Sequence, residues 1–139
     1  PPRSTLFPYT TLFRSWRPGP SCACVQSIVI DDALFERYVQ GTDFIQQYVF
    51  PGGCLPSPAR FRAAAQQAGL RVVEELAFGA DYAETLRRWH RQFTQQHAQV
   101  LAQGFDAKFL RTWEFYLAYC EAAFDSGSID VVQYTLVKN

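Results

Sequence analysis

Apolar residues along this chain follow two periods. Three short runs are dense in β-branched residues, and the stretches between them repeat their apolar positions every three or four residues. The run CACVQSIVI at 22–30 reads as a buried strand. Asp31-Asp32 then opens a short helical stretch with Leu34, Phe35 and Tyr38 on one side. Thr42 and Asp43 can cap a second short helix holding Phe44, Ile45, Tyr48 and Val49, which Pro51-Gly52-Gly53 breaks. Ser57-Pro58 pairs an N-cap with a first-turn proline, and Gly69 closes a helix through Phe61, Ala64, Ala65 and Ala68. LRVVEELAF at 70–78 is the second strand. Two longer helices follow. One spans 82–102, with Leu86, Trp89, Phe93 and Val100 near one face, and ends at Gly104. The other spans 106–124, with Phe109, Trp113, Tyr116, Leu117, Cys120 and Phe124 at helical spacing. IDVVQYTLV at 129–137 is the third strand, so the order reads β-α-α-β-α-α-β.

Strands alternating with helices predict part of an α/β sheet. The glycine-rich strand-to-helix turn that holds a nucleotide-like cofactor is missing, because Gly52-Gly53 follows a helical segment. The pattern therefore predicts the back end of a doubly wound domain without its cofactor half.

Composition changes the picture at a few points. The chain has 139 residues, with 13 basic side chains balancing 13 acidic ones, which argues against a nucleic-acid footprint. Apolar residues make up 48%, enough for a core. No apolar run approaches the roughly 18–20 residues of a membrane-spanning helix. There is no methionine, so the chain is expected to be a fragment of a longer gene product. Residues 5–15, TLFPYTTLFRS, repeat Thr-Leu-Phe and resemble a translated sequencing adapter. Residues 1–15 are therefore expected to be non-native and disordered.

Several stretches together carry a resemblance. The run Phe44-Ile45-Gln46-Gln47-Tyr48-Val49-Phe50-Pro51-Gly52-Gly53-Cys54-Leu55-Pro56-Ser57 resembles a signature of the cyclopropane-fatty-acyl-phospholipid synthase and mycolic acid cyclopropane synthase family of S-adenosylmethionine-dependent methyltransferases. Gly79-Ala80-Asp81-Tyr82 with Thr85-Leu86 and Trp89 resembles a second signature. Phe109-Leu110-Arg111 through Tyr116-Leu117 to Cys120-Glu121-Ala122-Ala123-Phe124 is similar to the family's C-terminal helix, and Val132-Gln133 to its last strand. Arg17-Pro18-Gly19 resembles the turn before the fifth strand of class I methyltransferases.

The resemblance implies the C-terminal part, three strands plus helices, of a class I methyltransferase Rossmann-like sheet over residues 16–139. The strands would be its fifth, sixth and seventh, the last antiparallel. The two long helices would be an insertion covering the lipid site. It implies S-adenosylmethionine bound by an upstream half, and a fragment inactive alone. The implied activity adds a methyl or methylene carbon to the double bond of an unsaturated acyl chain, carried on a phospholipid or an acyl carrier.

Such a reaction needs a dry pocket and a stabilised carbocation. It also needs a base, which the resemblance implies is a bound bicarbonate. Tyr82 matches the tyrosine that hydrogen-bonds this ion, and Ile28 a residue contributing backbone. Gln26 stands where many members have histidine. A glutamine donates to an anion but does not titrate near neutral pH, so methylation and methylenation stay open beside ring closure. Phe50, Gly52, Gly53 and Tyr116 are the expected acyl-binding residues.

Plainer readings stay open here. Tyr82 also suits a half-buried helix start, Gln26 a strand residue bonded to a neighbouring backbone group, and Phe50-Pro51-Gly52-Gly53 a helix stop packed on the core. Cys22, Cys24, Cys54 and Cys120 are expected to be reduced, partly buried thiols, with no metal site. His90 and His97 are expected at the surface or its boundary. The run Arg87-Arg88-Trp89-His90-Arg91 reads as a solvated face with one buried tryptophan, or as a patch meeting anionic headgroups. The expected location is cytoplasmic, peripheral at the inner membrane face. The rival function is a non-catalytic helical lipid- or protein-binding module. A glycine-rich strand–helix turn encoded in frame upstream supports the enzyme, and a start codon near Trp16 supports the module.

Overall fold

The computed structural model describes residues 22–138. The expectations for residues 1–15 and for the Arg17-Pro18-Gly19 turn lie outside the described residues. Three strands, β1 (Cys22–Ile30), β2 (Leu70–Ala77) and β3 (Ile129–Lys138), form one sheet in the order β1-β3-β2. β3 runs antiparallel to both neighbours, with Ile30 opposite Ile129 and Ala77 opposite Val132. β1 and β2 are therefore parallel to each other, and their C-terminal ends meet the start of β3. The register with β2 slips between Val72 and Glu74, a bulge that leaves Val73 unpaired.

The helices are α1 (Asp32–Gln40), α2 (Phe44–Tyr48), α3 (Pro58–Gln67), α4 (Gly79–Gln95), α5 (His97–Ala102) and α6 (Ala107–Asp125). Side-chain caps set most of their starts. Asp31 accepts from the Ala33 N–H at 2.8 Å, and Asp106 from the Phe109 N–H at 2.7 Å. Asp43 and Gln46 form a reciprocal capping box, 2.8 and 3.1 Å. Ser57 accepts from the Arg60 N–H at 3.4 Å, with Pro58 in the first turn.

Two expectations about the helices change. The three helical stretches expected between β1 and β2 are all present, so the shorthand order β-α-α-β undercounts them by one. The helix expected over 82–102 starts three residues earlier and breaks at Gln96. There the Gln96 N–H bonds to Phe93 O, a tightened turn, and His97 swings its ring onto Phe93 with centroids 5.3 Å apart.

The pleat sends alternate residues to opposite faces, and each face has its own core. On one face α3 brings Phe61 and Ala65 onto Val29, Leu70, Val132, Tyr134 and Leu136. Phe61 stacks on Tyr134 with centroids 3.9 Å apart. On the other face α4 and α6 bring Ala83, Leu86, Leu117, Cys120 and Phe124 onto Val131. Ile28 and Ile129 pack at its edge. The expectation that β1 is buried throughout fails at its start. Val29 and Ile30 are buried, but Cys22, Cys24 and Gln26 are exposed, because α4 and α6 cover only the far end of that face.

α4 lacks a side-chain cap of its own. Asp130 of β3 supplies one from 51 residues away. Its Oδ1 accepts from the Gly79 N–H at 2.7 Å and from its neighbour Val131 N–H at 2.7 Å. The anion sits where a helix start favours negative charge. A Cβ on Gly79 would lie 2.6 Å from Asp130 Oδ1 and 3.3 Å from its Cα, so only glycine lets the strand approach this closely.

Two substitutions test this joint in the intact protein. Asp130→Ala leaves the Gly79 N–H without its acceptor and should cost about 1–3 kcal/mol. Gly79→Ala overpacks the joint and should cost about 1–3 kcal/mol. Urea unfolding of both singles and the double should give a double cost smaller than the sum, since the carboxylate that clashes is gone. Strict additivity would show that the two residues act independently.

Candidate functional site

Three of the expected site residues, Ile28, Tyr82 and Tyr116, meet at the second core, joined there by residues not expected in the site, Ile45 and Trp113. Ile28 of β1, Tyr82 of α4, Tyr116 and Trp113 of α6 and Ile45 of α2 all pack against the second core. The Tyr82 ring lies 5.1 Å from Phe124 and 6.2 Å, edge to face, from Trp89. Tyr116 sits 4.9 Å from Trp113 and 6.2 Å, edge to face, from Phe50. Trp113 continues through Phe109 to Phe105 at 5.8 and 4.4 Å, a ladder of rings along α6 set by its three- and four-residue spacing.

The wall these rings form is uncharged. Burial, reinforced by the neighbouring Cys120, pushes the Tyr116 hydroxyl up to about 12. Burial likewise pushes the Cys120 thiol up to about 11, although its contact with Tyr116 pulls the other way. Both groups stay neutral across the cellular pH range. The Tyr82 hydroxyl makes no hydrogen bond among the described residues. A half-buried donor against apolar rings suits an apolar ligand carrying one polar point nearby.

The Phe50-Pro51-Gly52-Gly53 turn explains its own composition. The Phe50 N–H bonds to Ile45 O at 2.7 Å, and the Gly53 N–H to Phe50 O at 2.9 Å. Gln46 Nε2 donates to Gly53 O at 3.0 Å. Gly52 has φ +80°, a conformation a side chain would strain. The two glycines shape the turn, and the turn aims Phe50, 56% exposed, at Tyr116.

Gln26 shares a strand face with Ile28, two residues along. Its Oε1 accepts from Gln133 Nε2 at 3.1 Å, so its contact is a cross-strand amide pair rather than the aromatic cluster. The plainer reading gave Gln26 a bond to a neighbouring backbone group; the bond seen is to the Gln133 side chain.

Three features escaped the sequence reading. The Asp130–Gly79 joint spans 51 residues, which no local pattern reveals. A second aromatic cluster joins Phe44 to Phe115 at 4.6 Å, with Tyr48 and Tyr119 around it. Its i, i+4 signal on α6 was visible, but not its partner on α2. The third is Arg87, which binds Glu84, Glu121 and Asp125 at 2.8–2.9 Å and so clasps α4 to α6. These carboxylates raise the guanidinium's affinity for its proton, and Arg87 with Arg88 holds Glu84 below the ordinary carboxylate range.

Two expectations about the basic run and the cysteines are corrected. Trp89 is not buried but 47% exposed, because the core side of α4 is filled by Ala83 and Leu86. Cys22, Cys24 and Cys54 are exposed rather than partly buried, and only Cys120 is buried. His90 and His97 lie at the boundary as expected, with His97 Nε2 3.2 Å from Glu114 Oε1. No cluster among the described residues has the makings of a metal site.

The described residues do not fit the methyl donor. After β1 the chain enters Asp31, which caps α1. After β2 the Gly79 N–H is already held by Asp130. Neither turn has free glycine N–H groups for a nucleotide.

A sheet whose last strand inserts antiparallel between two parallel ones, with helices on both faces, is the C-terminal half of the class I methyltransferase fold. The solved structure of mycolic acid cyclopropane synthase CmaA1 with SAH and CTAB matches with a TM-score of 0.79 at 25% identity, over 94% of this chain and 50% of that one. A sequence profile of the mycolic acid cyclopropane synthetase family matches residues 11–134, and the chain belongs to that family. Tuberculostearic acid methyltransferase UfaA1 of Mycobacterium tuberculosis is 41% identical over 140 residues, 91% of this chain and 32% of the relative. Cyclopropane-fatty-acyl-phospholipid synthase of Escherichia coli is 36% identical over 92 residues, 65% of this chain and 23% of the relative. The chain thus spans a third or less of these curated relatives.

The burial pattern predicts the thiol chemistry. At pH 8 a thiol reagent should modify Cys22, Cys24 and Cys54 quickly, and Cys120 only in denaturant. Cys120 ionises near 9.0 when unfolded and near 11 when folded, so its contribution to stability is complete below about 9 and is lost as the pH rises towards 11. Thiol counting with and without urea checks the first point. Four fast thiols would place Cys120 at the surface.

Proposed function

We propose that the intact enzyme to which this chain contributes its C-terminal portion transfers a one-carbon unit to the double bond of an unsaturated fatty acyl chain, and that proton loss then leaves a methylene branch, or a methyl branch on a chain that keeps its double bond, rather than a ring. The observation that carries this reading is the uncharged aromatic wall of Tyr82, Trp113, Tyr116 and Phe50 at the end of β1. S-adenosylmethionine supplies the methyl group when bound by the upstream half.

The residues of this chain serve the acceptor. An alkene is a weak nucleophile, so it must be held in one pose away from water. Rings along α6 and the Phe50 turn provide apolar contact without charged groups that would need solvent. When the alkene attacks, positive charge develops on the acyl chain. The faces of Tyr82, Tyr116 and Trp113 favour a cation. The Tyr82 hydroxyl has no hydrogen-bond partner among the described residues and would be free to donate to a bound bicarbonate, which would supply the base for the departing proton.

The branched product rests on Gln26 and on similarity. Gln26 stands where many members have histidine and is tied to Gln133, so this chain offers no titrating group at that point. UfaA1, at 41% identity, is named for methyl transfer rather than cyclopropane formation. A non-catalytic binding module has no comparable observation behind it.

The experiment uses the intact enzyme with an unsaturated acyl substrate and labelled methyl donor. Proton NMR of the product should find vinyl or allylic signals of a branched chain, and the high-field methylene protons of a cyclopropane would overturn the product assignment. Tyr82→Phe should lower turnover about tenfold to a hundredfold while leaving substrate affinity nearly unchanged. Unchanged turnover in a folded variant would remove Tyr82 from the site.

A further inference from the structure

Tyr134 carries a polar group that the fold leaves without a partner. Its side chain is wholly buried and stacked on Phe61 at 3.9 Å. Its hydroxyl has no hydrogen-bond partner among the described residues. A buried hydroxyl in that state is costly, so one that persists points to a group that meets it. Burial, reinforced by the Glu75 carboxylate, pushes this hydroxyl up to about 12, so it stays a neutral O–H that can donate and accept. The charged groups that bear on it are Glu75, Arg62, Asp32 and Asp130. Three of these, Glu75, Arg62 and Asp130, line a cavity of about 370 Å³ that Tyr134 also lines, so the hydroxyl is aimed into it.

The cavity lies on the α3 side of the sheet, where β1 and β2 end and β3 begins. A water takes about 30 Å³ of liquid volume, so one bridging water would leave most of this space unfilled. Ligand pockets start at roughly 300 Å³. The floor is apolar, made of Val29, Ala77, Ile129 and Val132. Around it stand three carboxylates, Asp31, Glu75 and Asp130, and one cation, Arg62. Arg62 is balanced by Glu75, gripping both its oxygens at 2.6 and 2.7 Å. That leaves Asp31 and Asp130 in excess. Asp31 spends Oδ1 on the Ala33 N–H, and Asp130 spends Oδ1 on Gly79 and Val131. Neither Oδ2 has a hydrogen-bond partner among the described residues. The cavity is thus net negative, with two free carboxylate oxygens and one free hydroxyl around an apolar floor.

We propose that this cavity binds a small organic ammonium compound that carries a second polar atom. Its cationic N–H groups donate to Asp31 and Asp130, its short carbon chain lies on the apolar floor, and the second polar atom meets the Tyr134 hydroxyl. The excess carboxylates repel an anion such as a phosphate or a carboxylic acid. The proposal goes beyond the acyl-chain reading and does not rest on it.

The test is a ligand-observed NMR titration of the intact enzyme at neutral pH with aminobutanol, butylammonium and hydroxybutyrate. Aminobutanol, with its amine and hydroxyl at opposite ends, should bind saturably with a Kd of the order of millimolar, and hydroxybutyrate should not bind. Butylammonium has nothing for Tyr134 and should bind about fivefold more weakly. Tyr134→Phe keeps the ring on Phe61. It should weaken aminobutanol about fivefold and leave butylammonium unchanged. Asp31→Asn keeps a capping side chain for α1 and should weaken both amines about tenfold. The comparison of the three ligands on the unaltered enzyme stands even where a variant fails to fold. No saturable binding of aminobutanol would leave water as the occupant and overturn the proposal. So would equal binding of hydroxybutyrate, an equal loss for both amines in folded Tyr134→Phe, or binding unmoved in folded Asp31→Asn.

Discussion

The carboxylate of Asp130 joins the two halves of this structure. It lies at the start of the middle strand, and the first N–H of α4 points at it. The neighbouring Val131 is fully buried beneath α4 and α6. One turn of helix separates Gly79 from Tyr82, so whatever fixes the first fixes the second. The approach is close enough that a Cβ at Gly79 would collide with the carboxylate. A helix start without its own cap is thereby held by a strand 51 residues away. Tyr82, Leu86 and the outer hairpin inherit their position from that contact.

Two kinds of force then divide the work. Burial of Leu86, Leu117, Phe124 and Val131 holds α4 and α6 on the sheet, and it acts without direction. Direction comes from Arg87, whose three carboxylate partners lie on both helices and fix their register. Ion pairs this exposed add little stability individually, so the clasp matters for alignment more than for strength. Alignment is what the ring ladder on α6 needs. Its members touch because three- and four-residue spacing stacks them, and Tyr116 reaches Phe50 because Gly52 and Gly53 turn the chain back towards α6.

Local chemistry was legible in the sequence, and long-range pairing was not. Asp31, Asp43, Ser57 and Asp106 mark helix starts because a cap acts within three residues. All three strands fall where β-branched density placed them. The break at Gln96 carries no glycine or proline, so periodicity ran through it, and the His97 and Phe93 rings meet only in three dimensions. Cys22 and Cys24 looked buried because cysteine is usually buried, but the covering helices stop short of them. Ile28, Tyr82, Tyr116 and Phe50 were singled out by resemblance, and they do converge on one cluster or its rim. Gln26 was singled out with them, yet its side chain is engaged by Gln133, a cross-strand neighbour that only the register reveals.

The proposed acyl chain lies against the face where α4 and α6 cover the end of β1. Photo-crosslinking of the intact enzyme with an unsaturated acyl chain carrying a diazirine tests it most directly, with the adducts mapped by peptide mass spectrometry. Labels are expected on Phe50, Tyr82, Trp113 and Tyr116, competed away by unlabelled substrate. Labels confined to the opposite face, on Phe61, Ala65 or the segment around them, would contradict it.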